Sequence, residues 1–161
     1  MKVYFEKITE FSHAVVHFYT VIFDDEDLYE FEKFQDTDFP EHTKELEIMY
    51  AVIEEMQQRG AKLYYFKEEN AANAIPKVTQ NIIYANKKDF GIRLYCIRLT
   101  DNVVILLNGG IKTKKLPIDC PNVRQHFNNA IKIAKRLDKS IIEKEINTQQ
   151  KDCLQYFSLE I

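Results

Sequence analysis

Four cations near the middle of the chain have the types and spacing to do chemistry. Arg93 stands at the head of a predicted strand over 92–99, and Lys112, Lys114 and Lys115 follow a second predicted strand over 103–107. Thr100-Asp101-Asn102 between the strands is a short reversal, because Asp and Asn accept the backbone conformations that a tight turn demands. Such a hairpin places the arginine and the lysines at one end of a sheet. Fixed cations there bind phosphate and stabilise charge developing on a phosphoryl group under attack. The plainer reading is also open: Arg93 in an ion pair with an acidic residue of the first half, and the lysines as a solvated edge that discourages strand-to-strand association. A lysine is a poor general base at neutral pH unless its pKa is depressed, so the base stays unassigned.

A second basic set lies on the predicted final helix. Val123, Phe127, Ala130, Ile131, Ala134, Leu137 and Ile141 recur at helical spacing as its buried stripe, with Pro121 in the first turn and Asp119 as the cap. Arg124, Lys132, Lys135, Arg136 and Lys139 fall on a different face, within reach of one another. That face is either an RNA contact or an ordinary solvated one.

The elements that must position these groups read as follows. Segments 2–8 and 13–23 are rich in Val, Tyr, Phe and Ile and predict strands, the second apolar on both sides. Asp24-Asp25-Glu26-Asp27 opens a short helix, its carboxylates offsetting the positive end of the helix dipole. Consecutive acids cannot all point at one ion, and no glycine-turn loop follows, so a metal site is not expected there. Pro40 precedes a helix over 41–59 with Leu46, Met49, Tyr50, Ile53 and Met56 as its stripe, and Gly60 stops it. Segment 62–66 predicts a strand and 68–74 a loop closed by Ile75-Pro76. Asn108-Gly109-Gly110 releases the chain from the hairpin, leaving 111–115 as an edge segment or loop. His13 and His17 share a strand face but stand too far apart to share a metal, and His42 near a helix start carries no signal.

Composition bounds the class. With 161 residues, 45% of them hydrophobic, and only 4 Gly and 4 Pro, the chain is globular rather than disordered or collagen-like. No apolar run approaches the roughly 18 residues of a membrane span, and the first residues carry no signal-peptide core, so a cytoplasmic protein without a membrane partner is expected. Cys96, Cys120 and Cys153 have no metal spacing and read as reduced thiols, Cys96 as a small core residue. The net charge of −3 is divided: 1–80 carry 8 Lys/Arg against 17 Asp/Glu (−9), and 81–161 carry 14 against 8 (+6). The second half therefore suits an anionic partner, or the halves attract each other within one fold.

The order Gly91-Ile92-Arg93-Leu94-Tyr95, then Val103-Val104-Ile105-Leu106-Leu107, then Gly109-Gly110-Ile111-Lys112-Thr113-Lys114-Lys115 resembles the RelE/HigB superfamily of type II toxin–antitoxin modules, in its phage-derived HigB-like branch. Residues 45–60 resemble the helix before that family's first sheet strands, and Tyr64-Tyr65-Phe66-Lys67 the strand leading into them. The resemblance implies an α+β, RelE-like fold: a central, mostly antiparallel sheet with helices packed on it and a long C-terminal helix. It covers a toxin-like core over 41–140 of a single 1–161 domain, with 1–40 a divergent extension and 148–161 a tail. The function it implies is a ribosome-dependent mRNA endonuclease (mRNA interferase) that inhibits translation, cleaving by attack of a ribose 2′-hydroxyl on the adjacent phosphate. No metal or cofactor takes part. The implied partners are a cognate antitoxin, small and DNA-binding, and the ribosome with its mRNA. Arg93 matches the family's strand arginine, which holds and neutralises the scissile phosphate. Lys112, Lys114 and Lys115 match its basic segment, which binds phosphate and protonates the leaving oxygen. The family's Tyr or His near the C-terminus has no assigned counterpart; His126 and Tyr156 are the residues of that type. The alternative is a non-catalytic interaction module that has kept the fold. A small-molecule enzyme finds no phosphate loop, nucleophile–base pair or metal signature here.

Overall fold

The computed structural model describes residues 1–77 and 91–161. Their strands form one seven-stranded sheet. Along the chain come β1 (Lys2–Lys7), β2 (His17–Phe23), helix α1 (Glu30–Asp36), helix α2 (Thr43–Arg59), β3 (Lys67–Glu69), β4 (Ala72–Ile75), β5 (Gly91–Thr100), β6 (Val103–Lys112), helix α3 (Arg124–Ile142) and β7 (Ser158–Glu160). The sheet order is β3-β4-β5-β6-β2-β1-β7. Every described pairing is antiparallel except β2 with β6, which is parallel and runs only from His17 opposite Val103 to Tyr19 opposite Ile105. The fold is α+β with a mixed sheet and a 19-residue helix near the C-terminus.

Side chains alternate across the sheet, so its two faces carry two cores. Tyr95, Ile97, Ile105 and Leu107 pack with α3 residues Ala130, Ile133, Ala134 and Leu137 on one face. Leu94, Cys96, Val104 and Leu106 pack with α1 and α2 residues Phe31, Phe34, Met49, Ile53 and Met56 on the other. The β5–β6 hairpin is apolar on both sides for this reason, as its sequence requires, and Cys96 is a buried core residue.

Several elements depart from the sequence reading. β2 starts at His17, leaving His13 outside it, because 13–16 form a bend: the Ser12 hydroxyl donates to Ile8 O (2.8 Å) and accepts from the Phe18 amide (2.9 Å). The acidic run 24–27 precedes α1, which starts later; the Tyr29 amide donates to the Glu32 carboxylate at 3.0 Å. A 3-10 turn (Pro40–His42) precedes α2, and Gly60 ends it at φ +93°, a left-handed value that favours glycine. Segment 62–66 is not a strand; a 3-10 turn (Leu63–Tyr65) closes when the amides of Tyr65 and Phe66 donate to the carbonyls of Lys62 and Leu63. The expected loop over 68–74 is instead the β3–β4 hairpin, reversed at Asn70 with φ +59°. Asp119 does not cap α3. It ends a 3-10 turn (Pro117–Asp119), and the Cys120 carbonyl takes the amides of both Val123 and Arg124. The last residues are built into the sheet, with Leu159 opposite Val3 and the Ile161 amide on Met1 O. Residues 1–40 supply β1, β2 and α1, and β2 lies next to the central hairpin.

Candidate functional site

Asn108-Gly109-Gly110 does not release the chain; β6 runs on to Lys112, with Arg93 opposite Gly110 and Gly91 opposite Lys112. The pairing slips between Leu94 and Cys96, a bulge that brings the two backbones close together. A Cβ on Gly109 would stand 1.9 Å from the Arg93 carbonyl oxygen, and one on Gly110 3.0 Å from Asn122 O. Glycine is therefore demanded inside the strand, where the sequence suggests an exit.

Register puts Arg93 and Lys112 on the same face, as diagonal neighbours, so the hairpin does bring them together. Both are internal, at 0% and 1% exposure. Arg93 Nη1 donates to Ile92 O at 2.8 Å. Its positive charge also acts on the Tyr95 hydroxyl: burial and the nearby Glu69 carboxylate push that hydroxyl above its ordinary range, and Arg93 opposes them. The expected group of cations at one end of the sheet thus divides. Arg93 and Lys112 lie within the fold; Lys114 and Lys115 stand exposed just beyond it.

Cys120 fixes the loop that carries those two lysines. Its buried sulfur accepts from the Thr113 amide (3.3 Å), lies 3.5 Å from the Thr113 hydroxyl and 3.7 Å from Ile111 O. Burial would raise the thiol, but hydrogen bonds from the Thr113 side chain and from the amides of Thr113, Asn122 and Lys114 outweigh it and hold the thiol below its ordinary range. Arg124 ties the same loop to α3, its Nε donating to Ile118 O. From there Lys132, Lys135 and Lys139 continue along the solvent side of α3, opposite its buried stripe. Arg136 is half-buried, with its Nε on Glu160 O at 2.8 Å, and Lys139 lies 3.7 Å from Glu143. The arrangement is a run of exposed cations from Lys114 and Lys115 through Arg124 to Lys139, which can track a polyanion.

A second feature lies at the edge of β6. Beyond Ile105 no described strand pairs with the β2 side of β6, and α1 packs there instead. The gap leaves a cleft of about 380 Å³ lined by Lys33, Phe39, Gly109, Gly110, Asn122 and His126, among others. Beneath it the Glu30 carboxyl is buried against Lys33 Nζ (2.6 Å); burial, only partly offset by a hydrogen bond from Asn108, raises it to about 7. Burial and the repulsion of Lys33 lower His126, which is therefore a neutral imidazole at neutral pH. Its Nδ1 is shut off from solvent, with no hydrogen-bond partner among the described residues. These side chains come from separate segments, and no local motif unites them; the spacing of His126 from the buried stripe of α3 was the one available signal.

Among the described residues, no three His, Cys, Asp or Glu side chains gather to hold a metal, and no helix is long and apolar enough to cross a membrane. Comparison with family models, with curated proteins and with solved structures finds no match for this chain.

Proposed function

We propose that this chain is a RelE/HigB-like toxin acting in the cytoplasm, an endoribonuclease that cleaves mRNA on the ribosome and is restrained by a small antitoxin. The observation that carries the reading is the exposed cationic run from Lys114 and Lys115 through Arg124 to Lys132, Lys135 and Lys139, on a chain whose total charge is −3. Cations are gathered on one surface of an acidic protein, and such a surface suits the phosphate backbone of RNA. The mostly antiparallel sheet, its apolar hairpin and the long helix that follows also support the reading. Lys114 and Lys115 touch the scissile phosphate, while Arg93 and Lys112 act from within by placing positive charge beneath the end of the sheet. The 2′-hydroxyl attack then proceeds against a phosphate whose developing charge is partly neutralised.

A second reading rests on the burial of Arg93 and Lys112. Cations matched to a family's phosphate-binding groups cannot touch RNA while fully enclosed, so the fold would serve as a non-catalytic module that binds a partner protein. Expression in bacteria separates the two. The toxin reading expects growth arrest relieved by the cognate antitoxin, with arrest lost in Lys114→Ala/Lys115→Ala. Arrest that persists unchanged in that double variant removes the lysines from the site, and absence of arrest in the wild type favours the module.

A further inference from the structure

The cleft where β2 and β6 part suits an uncharged planar ring better than an anion. Its ammonium group, Lys33 Nζ, is already held by the Glu26 carboxylate and the buried Glu30 carboxyl, so a phosphate entering there would find its cation taken. Phe39 offers a ring on one wall and is held in place by Phe34, with ring centroids 5.5 Å apart. Gly109 and Gly110 line the floor without side chains, on a side where no described strand pairs with β6, and the Gly109 amide already donates to Asn108 Oδ1 at 2.8 Å. The half-buried His126 and the exposed Asn122 complete the polar lining. An aromatic platform facing a short row of donors and acceptors is how proteins hold splayed-out bases, by stacking on the flat face and hydrogen bonding to the edge.

We propose that this cleft holds one unstacked nucleobase of the RNA, its face on Phe39, its edge read by His126 and Asn122, and its room provided by the side-chain-free floor at Gly109 and Gly110. The proposal rests on the RNA-directed reading above and adds to it a point of base contact. Gly110 is the register partner of Arg93, so the cleft lies one strand away from the cationic end of the hairpin.

Titration of the isotope-labelled full chain with adenosine and with uridine, against ribose 5-phosphate as a base-free control, tests this by NMR. The nucleosides are expected to move the His126 ring and the Gly109 and Gly110 amide resonances, and the sugar phosphate to leave them in place. Loss of one stacking partner weakens binding about tenfold or more, so Phe39→Ala is expected to do so. Asn122→Ala, at an exposed position, is expected to weaken binding while the rest of the spectrum is preserved, which keeps the test valid if the Phe39 variant unfolds. Nucleosides that leave these resonances unmoved, or a sugar phosphate that moves them as far, overturn the proposal. The readout does not depend on cleavage: nucleoside binding with no mRNA cleavage overturns the nuclease and spares the cleft, and cleavage without nucleoside binding does the reverse.

Discussion

Replacing Lys132, Lys135 and Lys139 together with alanine removes half of the exposed cationic run, whose other members are Lys114, Lys115 and Arg124. If each of the six neutralises one phosphate of a single strand, the logarithm of the binding constant falls with the logarithm of salt at a slope of about −4, from roughly 0.7 per phosphate. Raising salt from about 50 to 200 mM then weakens wild-type binding about 300-fold. The triple variant keeps three of the contacts, a slope of about −2, and loses only about 20-fold over the same range. Fluorescence anisotropy with a labelled unstructured RNA across a potassium chloride series measures both slopes. The three side chains are solvent-facing, so the fold and its thermal midpoint are expected to stay put. A variant slope equal to the wild-type slope would show that the α3 ridge does not touch phosphate.

Other predictions concern the scaffold. Gly109→Ala drives a Cβ into the Arg93 carbonyl, so urea unfolding is expected to show a loss of about 3 kcal/mol or more; a loss under about 0.5 kcal/mol contradicts the bulge geometry. Leu137→Ala in the buried stripe of α3 is expected to cost about 2–5 kcal/mol, and Ile142→Ala, at 79% exposure, less than about 0.5; comparable losses would mean the helix faces are misassigned. Glu30 titrates at about 7 in the fold against 4.5 for an ordinary glutamate, so the folded state holds its proton more tightly. The stability this gives is whole below about pH 4.5 and is lost as pH rises through 7, a change of about 3 kcal/mol. Glu30→Gln removes that window, and denaturation profiles of variant and wild type that run parallel from pH 4 to 8 refute it.

Much of the scaffold was legible because local chemistry and tertiary packing agree. The β5–β6 hairpin announces itself by strands apolar on both faces around Asp101 and Asn102, and α3 by a stripe at helical spacing. The β3–β4 hairpin was hidden because Lys67-Glu68-Glu69 has the composition of a solvated loop and is a strand only through its neighbour. The sequence leaves Lys112 in an edge segment or loop because Gly109 and Gly110 resemble an exit, when a close cross-strand approach requires them. The types of the site cations were readable from the sequence, but not which of them face water: burial of Arg93 and Lys112 depends on β6 continuing past the glycines. The cleft has no local motif, and the spacing of His126 from the buried stripe of α3 is its one trace in the sequence. It exists because β2 pairs in parallel with a strand more than 80 residues further along the chain and then parts from it.

Mapping mRNA ends by primer extension in a translation extract, with and without ribosomes, tests whether this chain is a ribosome-dependent nuclease. Cuts are expected at a fixed position within in-frame codons, dependent on ribosomes and abolished by Lys114→Ala/Lys115→Ala. Intact messages on translating ribosomes in the presence of wild-type protein would contradict it.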